Sequence, residues 1–311
     1  MSKRRVPIAA FGLIALAQVA SAQSVRWINP LEQGIAIAKG NDRPLLCYII
    51  ARTTDRNEKV EREHNKTFRD PLAVELASRF VCVKVSRSAN SDLLERWKLP
   101  RITNQEIVIA NPDGELLDKF SQSDIGDARI FADKLAAAFR SYRTTLYGQK
   151  LRPVLTAAGA KPKDMLAALK TIQEFTIESA DADVATLLKR AELPPAVRKQ
   201  GYDTLALLSS KVAVDSLFEA ALAGDRLARA ALGKCQPGAA KHLDPYLAGE
   251  SMEKHVIAYE ATTEICNIPD AKPERFWSAP NEQAKLDEVE RVRKAAEQAA
   301  QRWDATFGKY R

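Results

Sequence analysis

Two apolar runs constrain this chain more than anything else in it. Pro44-Leu-Leu-Cys-Tyr-Ile-Ile-Ala51 and Phe80-Val-Cys-Val-Lys-Val85 have strand length and, Lys84 apart, carry apolar side chains at consecutive positions. Successive strand side chains point to opposite faces, so such runs fit strands buried on both, in a sheet covered by helices. The neighbouring sequence supplies those helices. Leu31 to Lys39 has Leu31, Ile35 and Ile37 or Ala38 at near-helical spacing. Pro71 suits a first helical turn with Asp70 as its N-cap, and Leu72, Val74, Leu76 and Ala77 carry that helix to Arg79. Leu93, Leu94 and Trp97 mark a short helix. Ile107 to Ala110 is a third strand, Asn111-Pro-Asp-Gly114 a strong turn signal, and Glu115 to Phe120 the return strand of a hairpin. Ile125 to Tyr142 reads as one closing helix, with Ile130, Phe131, Leu135, Ala138 and Phe139 on its apolar face.

The order strand, helix, strand, helix, hairpin, helix resembles the thioredoxin fold. Trp27 ahead of a helix, with Arg43-Pro44 leading into a buried strand, is similar to the opening of secreted thioredoxin-like domains. Phe68-Arg-Asp-Pro71 followed by Phe80 to Val85 resembles the family's F-x-D-x-x-V and F-V-x-V-K-V stretch, and Asn111 to Gly114 its D-P-D-G hairpin. The resemblance implies a C-x-x-C at a helix N-terminus after the first central strand, where a low-pKa thiolate attacks disulfides. In this chain the two positions fall on Thr54 and Asn57 of Thr54-Asp55-Arg56-Asn57, and neither residue can form a mixed disulfide. Thr54 still suits a helix cap. The family's cis-proline position falls on Gln105, with Pro100 several residues early. The expectation is a thioredoxin-like frame without the family's redox chemistry.

The N-terminus addresses compartment. Lys3, Arg4 and Arg5 precede an apolar run from Val6 to Val19 and the triplet Ala20-Ser21-Ala22, the layout of a secretory signal peptide cleaved after Ala22. The alternative is an uncleaved anchor, although the run is shorter than the ~20 residues that span a bilayer core. No cysteine stands near the cleavage point to carry a lipid. Losing those three cations takes the formal charge from +7 to +4. With acids and bases interspersed, that is an ordinary soluble surface rather than a nucleic-acid footprint. Export to the periplasm or the extracellular space is expected, with no membrane span after cleavage.

Beyond residue 145 the pattern turns helical. Leu151 to Ala160 reads as a connector, and Asp164 to Phe175 and Asp181 to Ala191 as helices, with Pro194-Pro195 breaking the run. Helical starts at Val197-Arg198 and Ala228-Arg229, with Tyr259-Glu260 a further 31 residues on, resemble degenerate HEAT-type repeats; an irregular bundle is the alternative. Ile268 to Pro280 is a proline-punctuated linker. Asn281 to Arg311 reads as one amphipathic helix bearing Leu286, Val289, Val292, Ala296, Ala299, Trp303, Phe307 and Tyr310. Trp303 and Phe307 are its candidate packing or binding anchors; a partner-binding coiled-coil seam is the other reading. The expected layout is a signal peptide over 1–22, a thioredoxin-like α/β domain over 23–145, a HEAT-like all-α region over 146–268 and a linker with a C-terminal helix over 269–311.

Few residues are left to carry chemistry. Cys47 and Cys82 read as small buried hydrophobes, with a cross-strand disulfide as the alternative. Cys235 and Cys266 lie 31 residues apart and would bridge only if they face each other on stacked helices. None of the four has zinc-site spacing, so no metal is expected. His64 reads as a surface residue, and His242 and His255 have no nucleophile nearby in sequence. No catalytic or phosphate-binding motif occurs, and no cofactor is expected. The sequence therefore points to an exported, non-catalytic module that binds another protein. An atypical oxidoreductase using cysteines outside a C-x-x-C is the alternative.

Overall fold

The computed structural model describes residues 24–50, 54–87, 90–99, 105–247, 251–304 and 309–310. The expected signal segment lies outside them. The chain divides into two compact units, one ending at Tyr142 and the other beginning at Arg143.

The first unit is α/β. Its elements are α1 (Leu31–Asn41), β1 (Leu45–Ile50), α2 (Asp55–Thr67), α3 (Pro71–Ala77), β2 (Val81–Ser86), α4 (Ser91–Arg96), β3 (Glu106–Ala110), β4 (Leu116–Phe120), α5 (Gln122–Gly126) and all but the last turn of α6 (Ala128–Leu146). The four strands lie in the order β2-β1-β3-β4. β1 and β2 are parallel, whereas β3 is antiparallel to both β1 and β4. Ile28 adds a single parallel bridge to Val83 at the outer edge of β2. Both apolar runs are strands covered on both faces. On one face Leu45, Cys47, Ile49, Val81, Val83, Val85, Val108 and Ala110 pack with Leu31 and Ala38 of α1 and with Leu94 and Trp97. The other face is aromatic: Tyr48 stacks edge-on to Phe68, which meets Phe131, which in turn meets Phe120.

Local signals set the element ends. Asp70 accepts from the Leu72 and Ala73 amides, both at 3.0 Å, and Pro71 follows as the first helical residue. Gly114 closes the hairpin at φ +81°. Its carbonyl accepts from Trp97 Nε1 at 2.9 Å and from Arg96 at 2.8 Å, which ties α4 to the turn. The closing helix is two helices rather than the single one expected. Ser121 and Asp124 form a capping box that starts α5, and Asp127 then caps α6 by accepting from the Arg129 and Ile130 amides. A second capping carboxylate inside an apolar pattern restarts the helix. α1 approaches β2 closely at Gly34, where a Cβ would stand 2.3 Å from Val83 Cγ2. Gly34→Ala is therefore expected to destabilise the unit by about 1–3 kcal/mol through overpacking, measured as a drop in the urea midpoint.

The second unit is helical: a π turn over Tyr147–Leu151, then α7 (Arg152–Thr156), α8 (Pro162–Phe175), α9 (Asp181–Leu188), α10 (Pro195–Leu208), α11 (Lys211–Leu222), α12 (Arg226–Leu232), α13 (Asp244–Leu247), α14 (Met252–Ile265), α15 (Glu274–Trp277) and α16 (Glu282–Arg302). Arginines close several helix ends, where carbonyls lack partners and the dipole favours a cation. Arg143 donates to the Phe175 and Thr176 carbonyls after α8, and Arg198 to those of Leu188 and Arg190 after α9. The 31-residue spacing slips in phase: Arg198 and Arg229 are the fourth residues of α10 and α12, whereas Glu260 sits mid-way along α14. Arg229 and Glu260 do form an ion pair.

The C-terminal helix differs from expectation. α16 stops at Arg302, and Trp303–Asp304 then pairs with Lys309–Tyr310 as a two-stranded ladder. Leu286, expected on the buried stripe, is 63% exposed, and Glu288 is buried in its place. A clamp explains this. Glu288 accepts from the Tyr259 hydroxyl of α14 at 2.6 Å and from Arg291 at 2.7 and 2.8 Å, while Arg291 also donates to the Pro269 carbonyl at 3.2 Å. The polar clamp rotates the helix so that Val289, Val292 and Ala299 face inward and Leu286 faces water.

Candidate functional site

Ligand crevices in open α/β sheets lie beyond the carboxyl ends of the parallel strands. Here that place is the start of α2, after β1. Thr54 caps the helix, its hydroxyl accepting from the Asn57 amide at 3.3 Å. Residues 51–53 lie outside the described residues, as do the side chains of Asp55 and Arg56. Gln105, immediately before β3, is buried. Its Nε2 donates to the Asn57 carbonyl at 3.2 Å and its Oε1 accepts from the Tyr48 hydroxyl at 3.0 Å. Thr54, Asn57 and Gln105, 48 residues apart at their widest bond, thus meet at one helix end.

Two members of the site carry no motif in the sequence. Tyr48 sits in the middle of an apolar strand, and His64 was expected on the surface. His64 is instead only 1% exposed. Val60, His64 and Thr67 recur at helical spacing and face inward on a helix whose other residues are charged apart from Asn57 and Asn65, a pattern that marks His64 as inward-facing. His64 Nδ1 lies 3.0 Å from the Tyr48 hydroxyl, and Nε2 lies 3.1 Å from the Gln122 carbonyl in α5. Burial holds the imidazole below its ordinary pKa, against the Gln122 carbonyl and Glu61, which favour the charged form. Burial, with Glu61 nearby, raises the Tyr48 hydroxyl, so it stays a donor at neutral pH. Glu61 is itself paired with Lys84 of β2 at 3.2 Å.

Beside this network opens a cavity of about 500 Å³ lined by Lys59, Glu63, His64, Glu106, Ser121 and Ser123 among others. Glu106 Oε2 is buried there without a hydrogen-bond partner among the described residues. The lining offers both charge signs and hydroxyls, and the Ser121 hydroxyl in it donates to the Asp124 carboxylate at 2.8 Å as part of the α5 cap. A second cavity, about 410 Å³, is mostly apolar and lies along Val25, Ile28, Val74, Phe80 and Cys82. Among the described residues no three His, Cys, Asp or Glu side chains gather as a metal site, and no helix is long and apolar enough to cross a membrane.

All four cysteines are free and buried. In the parallel register Leu46 opposes Cys82 and Cys47 opposes Val83, so the two thiols point to opposite faces of the sheet. The cross-strand disulfide is excluded by that register. Burial pushes the thiols of Cys82 and Cys235 up to about 12 and that of Cys266 up to about 11, and it raises Cys47 as well. None is poised as a thiolate. Of the other two candidate anchors, Trp303 is half-buried at the C-cap of α16 and Phe307 lies outside the described residues. No protein-family model matches the chain, and no curated protein matches it.

Proposed function

We propose that this is an exported, redox-inactive thioredoxin-like protein with a HEAT-like helical region, and that it binds another protein through the cavity beside the start of α2. The mixed sheet with one parallel and two antiparallel pairings supports the fold assignment, and the Arg229–Glu260 pair at 31 residues supports a stacked helical array. The observation that carries the functional reading is the replacement at the helix start. Where the family places a reactive pair and a proline, this chain has Thr54 as a cap and Gln105 clasping Asn57 and Tyr48, next to an open polar cavity. The replacement keeps the helix end ordered and removes the nucleophile.

The purified protein is expected to leave insulin reduction at the uncatalysed rate, and to release four thiols to an alkylating reagent in denaturant but hardly any when native at pH 8. Turnover that vanishes in Cys82→Ser or Cys47→Ser rejects the non-catalytic reading. Mass spectrometry of the exported protein is expected to find Gln23 at the N-terminus. A photo-crosslinking amino acid at exposed Ser123, on the cavity rim, is expected to trap one discrete protein adduct in intact cells, and the same group at exposed Lys163 none. Equal labelling from both positions, or none from Ser123, rejects the cavity as the binding surface.

A further inference from the structure

The three contacts around His64 cannot all be hydrogen bonds unless the imidazole carries two protons. Tyr48 has one hydroxyl proton and lies 3.0 Å from both His64 Nδ1 and Gln105 Oε1. Gln105 cannot be turned round, because its Nε2 is committed to the Asn57 carbonyl at 3.2 Å. If neutral His64 carries its proton on Nε2, that N–H serves the Gln122 carbonyl at 3.1 Å, and two acceptors then compete for the single Tyr48 proton. If the proton is on Nδ1, Tyr48 is free to serve Gln105, but the Nε2 lone pair faces the Gln122 carbonyl. Either neutral form leaves one of three contacts without a hydrogen. The imidazolium supplies the third: Nε2–H to Gln122, Nδ1–H to the Tyr48 oxygen, and Tyr48 O–H to Gln105.

We propose that His64, Tyr48 and Gln105 form a proton-operated latch on the start of α2: proton uptake from solvent by His64 commits the Tyr48 hydroxyl to Gln105, which then holds Asn57. Loss of that proton returns Tyr48 to shared duty and loosens the clasp. The latch goes beyond the binding role of the cavity and does not depend on it. His64 lines the cavity, which is its route to water. The charges around it are Glu61 on its own helix, paired with Lys84 of β2; Lys59, Glu63 and, from β3, Glu106 around the cavity; and Asp124 of α5, paired at 2.8 Å with Lys134 of α6. Phe68 covers the imidazole, ring centroids 6.3 Å apart. Because burial holds the native pKa below that of a free histidine, the latch engages on the acid side of about pH 6.5. The same depression means that His64 contributes stability above that pH and that this contribution is lost as the pH falls through the native value.

The test is an NMR titration of the full mature protein from pH 8 to 4.5, following the His64 ring nitrogens and the Gln105 side-chain amide. Both nitrogens are expected to be protonated in the acid form, and the Gln105 amide to shift and to slow its hydrogen exchange at least 3-fold with the His64 midpoint. In Tyr48→Phe, which lacks only the connecting oxygen, the His64 titration is expected to persist and the Gln105 response to disappear. A Gln105 amide that ignores the His64 midpoint in the wild-type protein overturns the proposal, whether or not the variant folds. So does a Gln105 response that survives in Tyr48→Phe, or a His64 that stays neutral until the protein unfolds.

Discussion

Changing Trp277 to alanine is expected to lower the melting temperature of the helical unit by roughly 6–20 °C, from a loss of about 3–5 kcal/mol at about 2–4 °C per kcal/mol. Trp277 lies in the stretch that reads as a proline-rich linker, yet it is 1% exposed. Its ring meets His255 and Tyr259 edge-on, with centroids 4.2 and 4.7 Å away, and it seals the aromatic layer over α14. Alanine there leaves a cavity that packed helices cannot collapse. Trp277→Phe keeps a ring in place and removes an indole N–H that is buried without a partner among the described residues, so it is expected to lose far less. Trp303→Ala is the informative comparison. That side chain is half-buried beyond the end of α16, and its removal is expected to shift the transition by less than half as much. Differential scanning calorimetry of the three variants decides the matter: a Trp303→Ala shift equal to that of Trp277→Ala would return the anchoring role to the C-terminal residue.

Glu288→Ala is the second large effect, expected to cost about 2–4 kcal/mol at pH 7 because it strips the acceptor from two donors at once. Arg291 is partly exposed and turns to water, which keeps the loss at the lower end of that for a broken buried pair, whereas the Tyr259 hydroxyl is left buried. The effect depends on pH in a fixed direction. Burial alone would raise the Glu288 carboxyl, but the hydrogen bonds from Arg291 and Tyr259 outweigh it and hold the group below the usual carboxylate range. A depressed native pKa contributes stability that is present above the unfolded value of about 4.3 and is lost as the pH falls through the native value. Urea unfolding is therefore expected to separate wild type from Glu288→Ala widely at pH 7 and narrowly near pH 3. An equal gap at both pH values would show that the loss comes from packing rather than from the charge.

How far the fold could be read in advance follows the range over which each signal acts. Asp70 with Pro71, Thr54 as a cap, the Asn111–Gly114 turn and the two apolar runs all act within four to eight residues, and each produced the element its chemistry calls for. Capping also sets the end that periodicity misses: Asp127 restarts a helix inside an apolar pattern that periodicity alone carries straight through. The candidate site was half legible. Thr54, Asn57 and Gln105 could be placed by their positions in a resemblance, but Tyr48 looked like one more core residue and His64 like one more surface residue.

What the sequence determined by itself was therefore the four strands of the sheet, most of the helices, their order and the absence of a reactive cysteine pair at the start of α2. Only the tertiary structure decided that Cys47 and Cys82 face opposite ways, because one residue of register inverts every side chain in a strand. It alone decided that α16 turns Glu288 inward and Leu286 outward, because a buried carboxylate accepting three hydrogen bonds outweighs one leucine on the stripe. His64 obeys the same logic. Its partners lie 16 and 58 residues away in sequence, and a polar side chain can be buried only where such distant groups are brought together to bond it.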